Sequence, residues 1–326
     1  MKPIVMIGLA LLLALPCRVR AVDETDPAAI LKRTLATYET MRSYRARGNV
    51  VSHFRALGRE TTSETRFTLA LGRPHLYRVT WSKLDGLPVR GKRKRRVGTG
   101  SPASIDGAAW NAGSGPFNYE AQLGAYAKAQ NDEMALAAAT GVSGGAAHTI
   151  PALFFKDSTR MLAELTDLEL RGAEKVDGED CYVMSGKSRV FRAHVLWISK
   201  SRFVILKHQH SHQKPLEAAR PGPKGLDSFA DLPEREQEEA LKQGLAAMGL
   251  PDTPEARTRL KGFMDFAQAA AKLGDAGVAS EGETIETYGD VVVDGPSEVG
   301  DYEFRVPEGT ALKKSLMGTI LGVEEP

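Results

Sequence analysis

The chain has 326 residues, 42% of them hydrophobic, with 43 basic and 41 acidic residues and a formal charge of +2. That length suits one large domain, or one domain carrying an insertion. Nothing in so even a charge balance calls for a nucleic-acid partner.

Residues 1–21 read as a signal peptide. Lys2 gives a short positive start, and Ile4 to Leu15 form an apolar run broken only by Gly8. The run is about a dozen residues, short of the roughly 20 that span a bilayer as a helix. Val19-Arg20-Ala21 then offers the small-residue pattern of a peptidase site, with cleavage before Val22. Cys17 follows Pro16, which fits lipid attachment badly, so it is expected to leave with the signal. Cys181 is then the only cysteine, no intrachain disulfide can form, and the fold must rest on its own core. Taking Lys2, Arg18 and Arg20 from the 43 basic residues leaves 40 against 41 acidic ones. No later apolar run reaches spanning length, so the expectation is a soluble protein delivered to the periplasm.

The mature chain opens on a helix. Asp26 is a good N-cap, Pro27 suits the first turn, and Ile30, Leu31, Leu35, Tyr38 and Met41 recur at helical spacing. From Ser43 the period changes to two. Tyr44, Ala46, Val50 and Phe54 share one strand face, with Arg45, Arg47, Asn49 and His53 opposite. Phe67, Leu69 and Leu71, then Tyr77, Val79 and Trp81 after the Gly72-Arg73-Pro74 turn, continue an antiparallel meander with one wet side. A Gly-, Pro- and Ser-rich loop over 84–103 carries the basic run 90–96, and Ile105-Asp106-Gly107 leads into a short strand at Trp110. Residues 121–163 are expected to be helical and interrupted, Asn131 capping a helix through Thr140 and a second segment holding Ile150, Leu153, Phe154 and Phe155.

Strand patterns return at Leu168 and Leu170, turn at Asp177-Gly178, and continue through 181–184, 194–199 and 202–212. Residues 213–280 break the pattern with two helices. One starts at Asp231, with Glu234 completing a capping box, and the other follows Thr253-Pro254. Strands resume at 283–293 and 302–306. The expected division is a signal peptide at 1–21, a sheet domain from 22–212 and 281–326, and a helical insertion at 213–280.

The order of these pieces resembles the LolA/LolB family of lipoprotein carriers and localisation factors. The likeness is carried by Ile105-Asp106-Gly107-Ala108-Ala109-Trp110, by the stretch Lys175 to Val183, by Leu196-Trp197-Ile198, and by Phe304-Arg305-Val306-Pro307-Glu308-Gly309. It covers residues 26–212 and 283–309. The resemblance implies an α+β fold: a strongly curved antiparallel sheet, or half-barrel, with helices plugging a concave apolar side that holds acyl chains. The insertion and the basic run at 90–96 lie outside the family pattern.

On that reading, Tyr44, Val50, Phe54, Phe67, Leu69, Leu71, Tyr77, Val79 and Trp81 line an apolar cavity, with Leu153 and Phe154 part of its lid. They are more large apolar side chains than one covering helix easily buries. A filled core of the same residues is the alternative.

Three constellations could carry other chemistry. Gly141-Val142-Ser143-Gly144-Gly145 matches a nucleophile elbow, but no apolar strand precedes it. His208, His210 and His212 share one strand face, yet no acidic partner follows nearby and strand neighbours two apart lie about 7 Å apart, wide for one ion. The basic run could meet anionic lipid headgroups or an acidic protein surface. The expectation is therefore a non-enzymatic periplasmic carrier of lipid or acylated protein, without cofactor or metal. The runner-up is an envelope interaction or stress-sensing protein of the same fold, and a serine hydrolase comes third.

Overall fold

In the computed structural model, which describes residues 25–56, 59–84, 105–156, 160–189, 193–214, 229, 232–248, 250–275 and 280–323, every strand joins one sheet. The strands are β1 (Ser43–Ala56), β2 (Arg59–Gly72), β3 (Leu76–Lys83), β4 (Gly107–Asn111), β5 (Phe117–Glu120) and β6 (Ala125–Lys128), followed by β7 (Thr166–Val176), β8 (Glu179–Lys187), β9 (Ala193–Ser199), β10 (Ile205–Lys214), β11 (Ser280–Val293) and β12 (Ala311–Lys313). Their order is β12-β6-β5-β4-β3-β2-β1-β11-β10-β9-β8-β7, antiparallel throughout except for the β12–β6 pair. The sheet does not close on itself, and with helices on its concave side it is an α+β half-barrel. The signal sequence and the basic run at 90–96 lie outside the described residues.

Two antiparallel meanders, β1 to β6 and β7 to β10, are joined through β11, which pairs with both β1 and β10. Gly48 permits the close approach at this seam. A Cβ there would sit 2.0 Å from the Thr287 carbonyl oxygen and 2.4 Å from the Phe67 ring. Asp177 and Gly178 both take positive φ, as a two-residue hairpin between β7 and β8 requires.

Helix α1 (Pro27–Thr40) begins where Asp26 accepts a hydrogen bond from the Ala28 N–H at 3.0 Å, and it buries Ile30, Leu31, Thr34 and Tyr38. Helix α2 (Asp132–Val142) is capped by Asn131, whose side chain accepts from the Met134 N–H. Helix α3 (Thr149–Phe155) buries every residue but its last. These three helices cover the concave face. The main core forms between them and the sheet, from Ile30 to Tyr288.

Three sequence expectations change. Residues 121–128 are a hairpin with strand β6 rather than helix, because Gly124 takes φ +59° and Tyr126 alternates inside a strand paired on both sides. Residues 302–306 form no strand. Phe304 and Val306 instead pack on the outer face with Trp110, Phe117, Tyr119 and Tyr126, the Trp110 and Phe304 ring centroids 5.1 Å apart. Helix α4 (Glu234–Ala247) starts after Pro233 with no side-chain cap, so Glu234 opens the helix instead of closing a capping box. Asp231 itself lies outside the described residues.

Between the adjacent strands β10 and β11, α4 and helix α5 (Pro254–Asp275) bury Leu241, Leu245, Ala256 and Leu260 in a second small core. Helix α6 (Leu316–Leu321) and the residues after it contribute Leu321 and Val323 to that core. No described helix is long and apolar enough to cross a membrane.

Candidate functional site

Sheet register decides which side chains face the helices. Tyr44, Leu71 and Tyr77 form one cross-strand row; Ala46, Leu69 and Val79 form the next; Gly48, Phe67 and Trp81 form a third. Val50 opens a fourth row opposite Thr65. These side chains are buried on the concave face, where Leu153 and Phe154 of α3 meet them from the helical side. Ten of the eleven residues expected in the interior thus lie together, none more than 3% exposed. Phe54 does not join them. It sits at the far end of β1, opposite Thr61 and Gly282, and is 43% exposed, because β1 and β2 project there beyond the covering helices.

Several contacts fix the covering helices. Arg73 donates to the Tyr38 and Glu39 carbonyls at 3.1 and 3.2 Å while its guanidinium lies over the Phe154 ring. Tyr38 accepts from the Ile205 N–H at 3.0 Å, and burial holds its hydroxyl well above the ordinary tyrosine range. Lys156 and Arg160 each reach Glu39 at 3.2 Å. At the rim, a pocket of about 260 Å³ opens between α2, α3 and the start of β3, lined by His75, Tyr77, Asp132, Glu133, Leu136, Phe155 and Lys156. Tyr77 and Leu136 belong to the main core as well, so the pocket reaches the apolar interior.

Polar groups interrupt this interior: the hydroxyls of Tyr44 and Tyr77 are buried without a hydrogen-bond partner. The indole Nε1 of Trp81 has no hydrogen-bond partner. Glu120 stands in the Trp81 row beyond Gly107, and burial pushes its carboxyl up to about 7, a shift that Lys83 opposes and Asp106 reinforces.

A polar cluster occupies the far end of the concave face. His208 pairs in register with Glu286, and His194 with His210. His194 Nδ1 lies 3.0 Å from His208 Nε2, and His194 Nε2 lies 2.8 Å from the Ser188 hydroxyl. Burial, then the neighbouring His208 and His210, push the His194 imidazole down to about 3, so it is neutral at pH 7. Glu286 accepts from the Thr149 hydroxyl at 2.9 Å and from the Tyr288 hydroxyl. Burial alone would raise its carboxyl. The proximity of His208, the Tyr288 hydroxyl and His210 outweighs that and holds it below the usual carboxylate range.

Ser143 is no exposed nucleophile. It ends α2, is fully buried, donates to the Thr140 carbonyl and accepts from the Ala147 N–H. Cys181 is buried too, which pushes its thiol up to about 11 and leaves it unreactive at neutral pH.

No family model matches the sequence, and no curated protein is similar to it. The chain is similar to solved structures that include a LolA superfamily protein from Nitrosomonas europaea, 10% identical with a TM-score of 0.23 over 86% of this chain and 99% of that one. LprF from Mycobacterium bovis is 9% identical with a TM-score of 0.35, over 84% and 95%. A DUF1329 family protein from Desulfovibrio piger is 13% identical with a TM-score of 0.25, over 86% and 98%.

Proposed function

We propose that this protein is a non-enzymatic periplasmic carrier that holds a lipid, or the acyl group of a lipidated protein, by burying its chain in the half-barrel. One observation carries the reading: the apolar concave face is covered by three separate helices rather than by a second sheet, and one of them is bounded at both ends by left-handed backbone. Gly144 and Gly145 precede α3 at φ +69° and +105°, and Lys156 follows it at φ +59°. The rim pocket lies at the Lys156 end of this helix.

Ile150, Leu153 and Phe154 of α3 are buried against the concave face, so an acyl chain enters by displacing α3. Uncovering Ile150, Leu153 and Phe154 costs about 1.5–3 kcal/mol each. Burying a twelve-carbon chain returns about 0.8 kcal/mol per methylene, roughly 10 kcal/mol, which exceeds the cost of uncovering those three side chains. A chain of four or five carbons would not. The reading therefore favours long acyl chains and a closed empty state.

Native mass spectrometry of the protein isolated from the periplasm tests it. A fraction carrying one added mass of an acyl lipid, exchangeable with long-chain but not short-chain fatty acid, is the expected result. A single apo mass that stays unchanged on incubation with long-chain fatty acid or diacyl lipid would overturn the reading.

A further inference from the structure

The polar cluster sits at the start of α3, where Thr149 donates to Glu286. We infer that His208, His210 and Glu286 form a binding site for one divalent transition-metal ion of the zinc type. The inference uses none of the apolar residues of the carrier proposal, and its readout is metal binding rather than lipid binding.

The ligand atoms of the three residues all lie within 4.8 Å of one another. Strand neighbours two apart are usually about 7 Å apart, yet the His208 and His210 rings are separated by 5.2 Å. The acidic partner comes from the other side of the insertion, because β11 pairs with β10 and sets Glu286 opposite His208. His208 Nδ1 makes no hydrogen bond and faces Glu286 Oε1 at 3.6 Å. That gap is too long for a hydrogen bond. It is close to the roughly 3.3 Å between two ligands of a tetrahedral ion with bonds of about 2.0–2.1 Å.

The surroundings fit a ligand role. With Nδ1 turned to a metal, His208 Nε2–H donates to His194 Nδ1 at 3.0 Å, and His194 Nε2–H donates to Ser188 at 2.8 Å. A second partner of this kind fixes the tautomer and ring orientation of a metal-bound histidine. Thr149 and Tyr288 do the same for the Glu286 carboxylate. Two imidazoles and one carboxylate match zinc and its neighbours, whereas calcium and magnesium take six or more oxygens. Three protein ligands leave one coordination position open. His208 and Glu286 are each 1% exposed, and the half-buried His210 marks the side from which an ion arrives. The competing arrangement is a proton shared between His208 and Glu286 with no metal.

The test is calorimetric titration of Zn²⁺ into the purified, untagged, chelator-treated protein, alongside His210→Asn, Glu286→Gln and Ser188→Ala. Wild type is expected to bind one equivalent and to give a visible Co²⁺ spectrum of a low-coordinate site. His210→Asn and Glu286→Gln should each weaken binding at least about a hundredfold, and Ser188→Ala about tenfold. If Glu286→Gln fails to fold, the half-buried His210→Asn carries the test. Absence of a stoichiometric Zn²⁺ site in wild type, or equal affinity in folded His210→Asn, would overturn the inference. The first outcome would leave a proton-bridged pair, and the second would put the ion elsewhere on the surface. Acyl-lipid binding is scored separately, so either reading can fail alone.

Discussion

Phe155→Asp separates a mouth from a wall. Phe155 is half-buried at the pocket rim, edge-on to Phe154 with centroids 4.9 Å apart, and 5.9 Å from the Tyr77 ring. Losing half of a phenylalanine's burial costs about 1–1.5 kcal/mol, and the ring contacts add about 0.5–1. The new carboxylate stays hydrated in the mouth, so no buried-charge penalty follows. A total near 2 kcal/mol lowers the melting temperature of a chain this long by about 3 °C and leaves it folded. Leu69→Glu is the contrast. Leu69 is 3% exposed between Ala46 and Val79, so the change removes about 2–3 kcal/mol of burial and adds several more for an unpaired buried charge. That sum approaches the whole stability of a domain, and the variant should unfold. The assay is thermal denaturation paired with titration of a fluorescent long-chain fatty acid. Phe155→Asp is expected to stay folded and to bind at least tenfold more weakly than wild type. Wild-type affinity in folded Phe155→Asp would refute the idea that acyl chains enter beside α3.

Other perturbations probe the frame around the interior. Arg202 donates to Glu179 through Nε at 3.0 Å and to the Val291 carbonyl at 2.8 Å, tying the β8–β9 end of the sheet to β11. The Arg202 contacts hold the Glu179 carboxyl below its usual range, so its stabilisation is present above the unfolded carboxyl pKa near about 4.3 and is lost as pH falls through the folded value. Glu179→Gln should therefore lower stability by about 1 kcal/mol at pH 7, discounted for partial exposure, with the gap to wild type closing in melts taken below pH 4. Gly145→Ala forces a side chain to φ +105° beside Glu286 and should cost about 1–3 kcal/mol in chemical denaturation; an unchanged midpoint would show that this backbone tolerates an alanine. Replacing residues 215–279 with a short Gly/Ser hairpin leaves the Lys214–Ser280 pair in place, so the sheet should keep its cooperative thermal transition. Loss of that transition would make the two insertion helices part of the main core.

Period-two patterns in the sequence were enough to order the concave rows of β1, β2 and β3, because each strand keeps one apolar face against the same helices. Phe54 obeyed the pattern and still fell outside, since alternation sets a face but not where the covering helices stop. Strand β6 was hidden because Ala-rich segments suit a helix locally, and only pairing with β5 and β12 makes it a strand. The polar cluster was half visible. His208 and His210 announce themselves at i and i+2, but Glu286 lies beyond the insertion and joins them only through the β10–β11 register. The one local hint was a strand with Thr284, Glu286 and Tyr288 on a face that packs inward.

Photo-crosslinking with a long-chain fatty acid bearing a terminal diazirine, followed by peptide mapping, locates the bound chain. Adducts are expected on interior residues such as Leu69, Trp81, Leu153 and Phe154, suppressed by excess unlabelled fatty acid. Adducts confined to exposed apolar side chains such as Leu312 and Ile320, or insensitive to competitor, would contradict the carrier proposal.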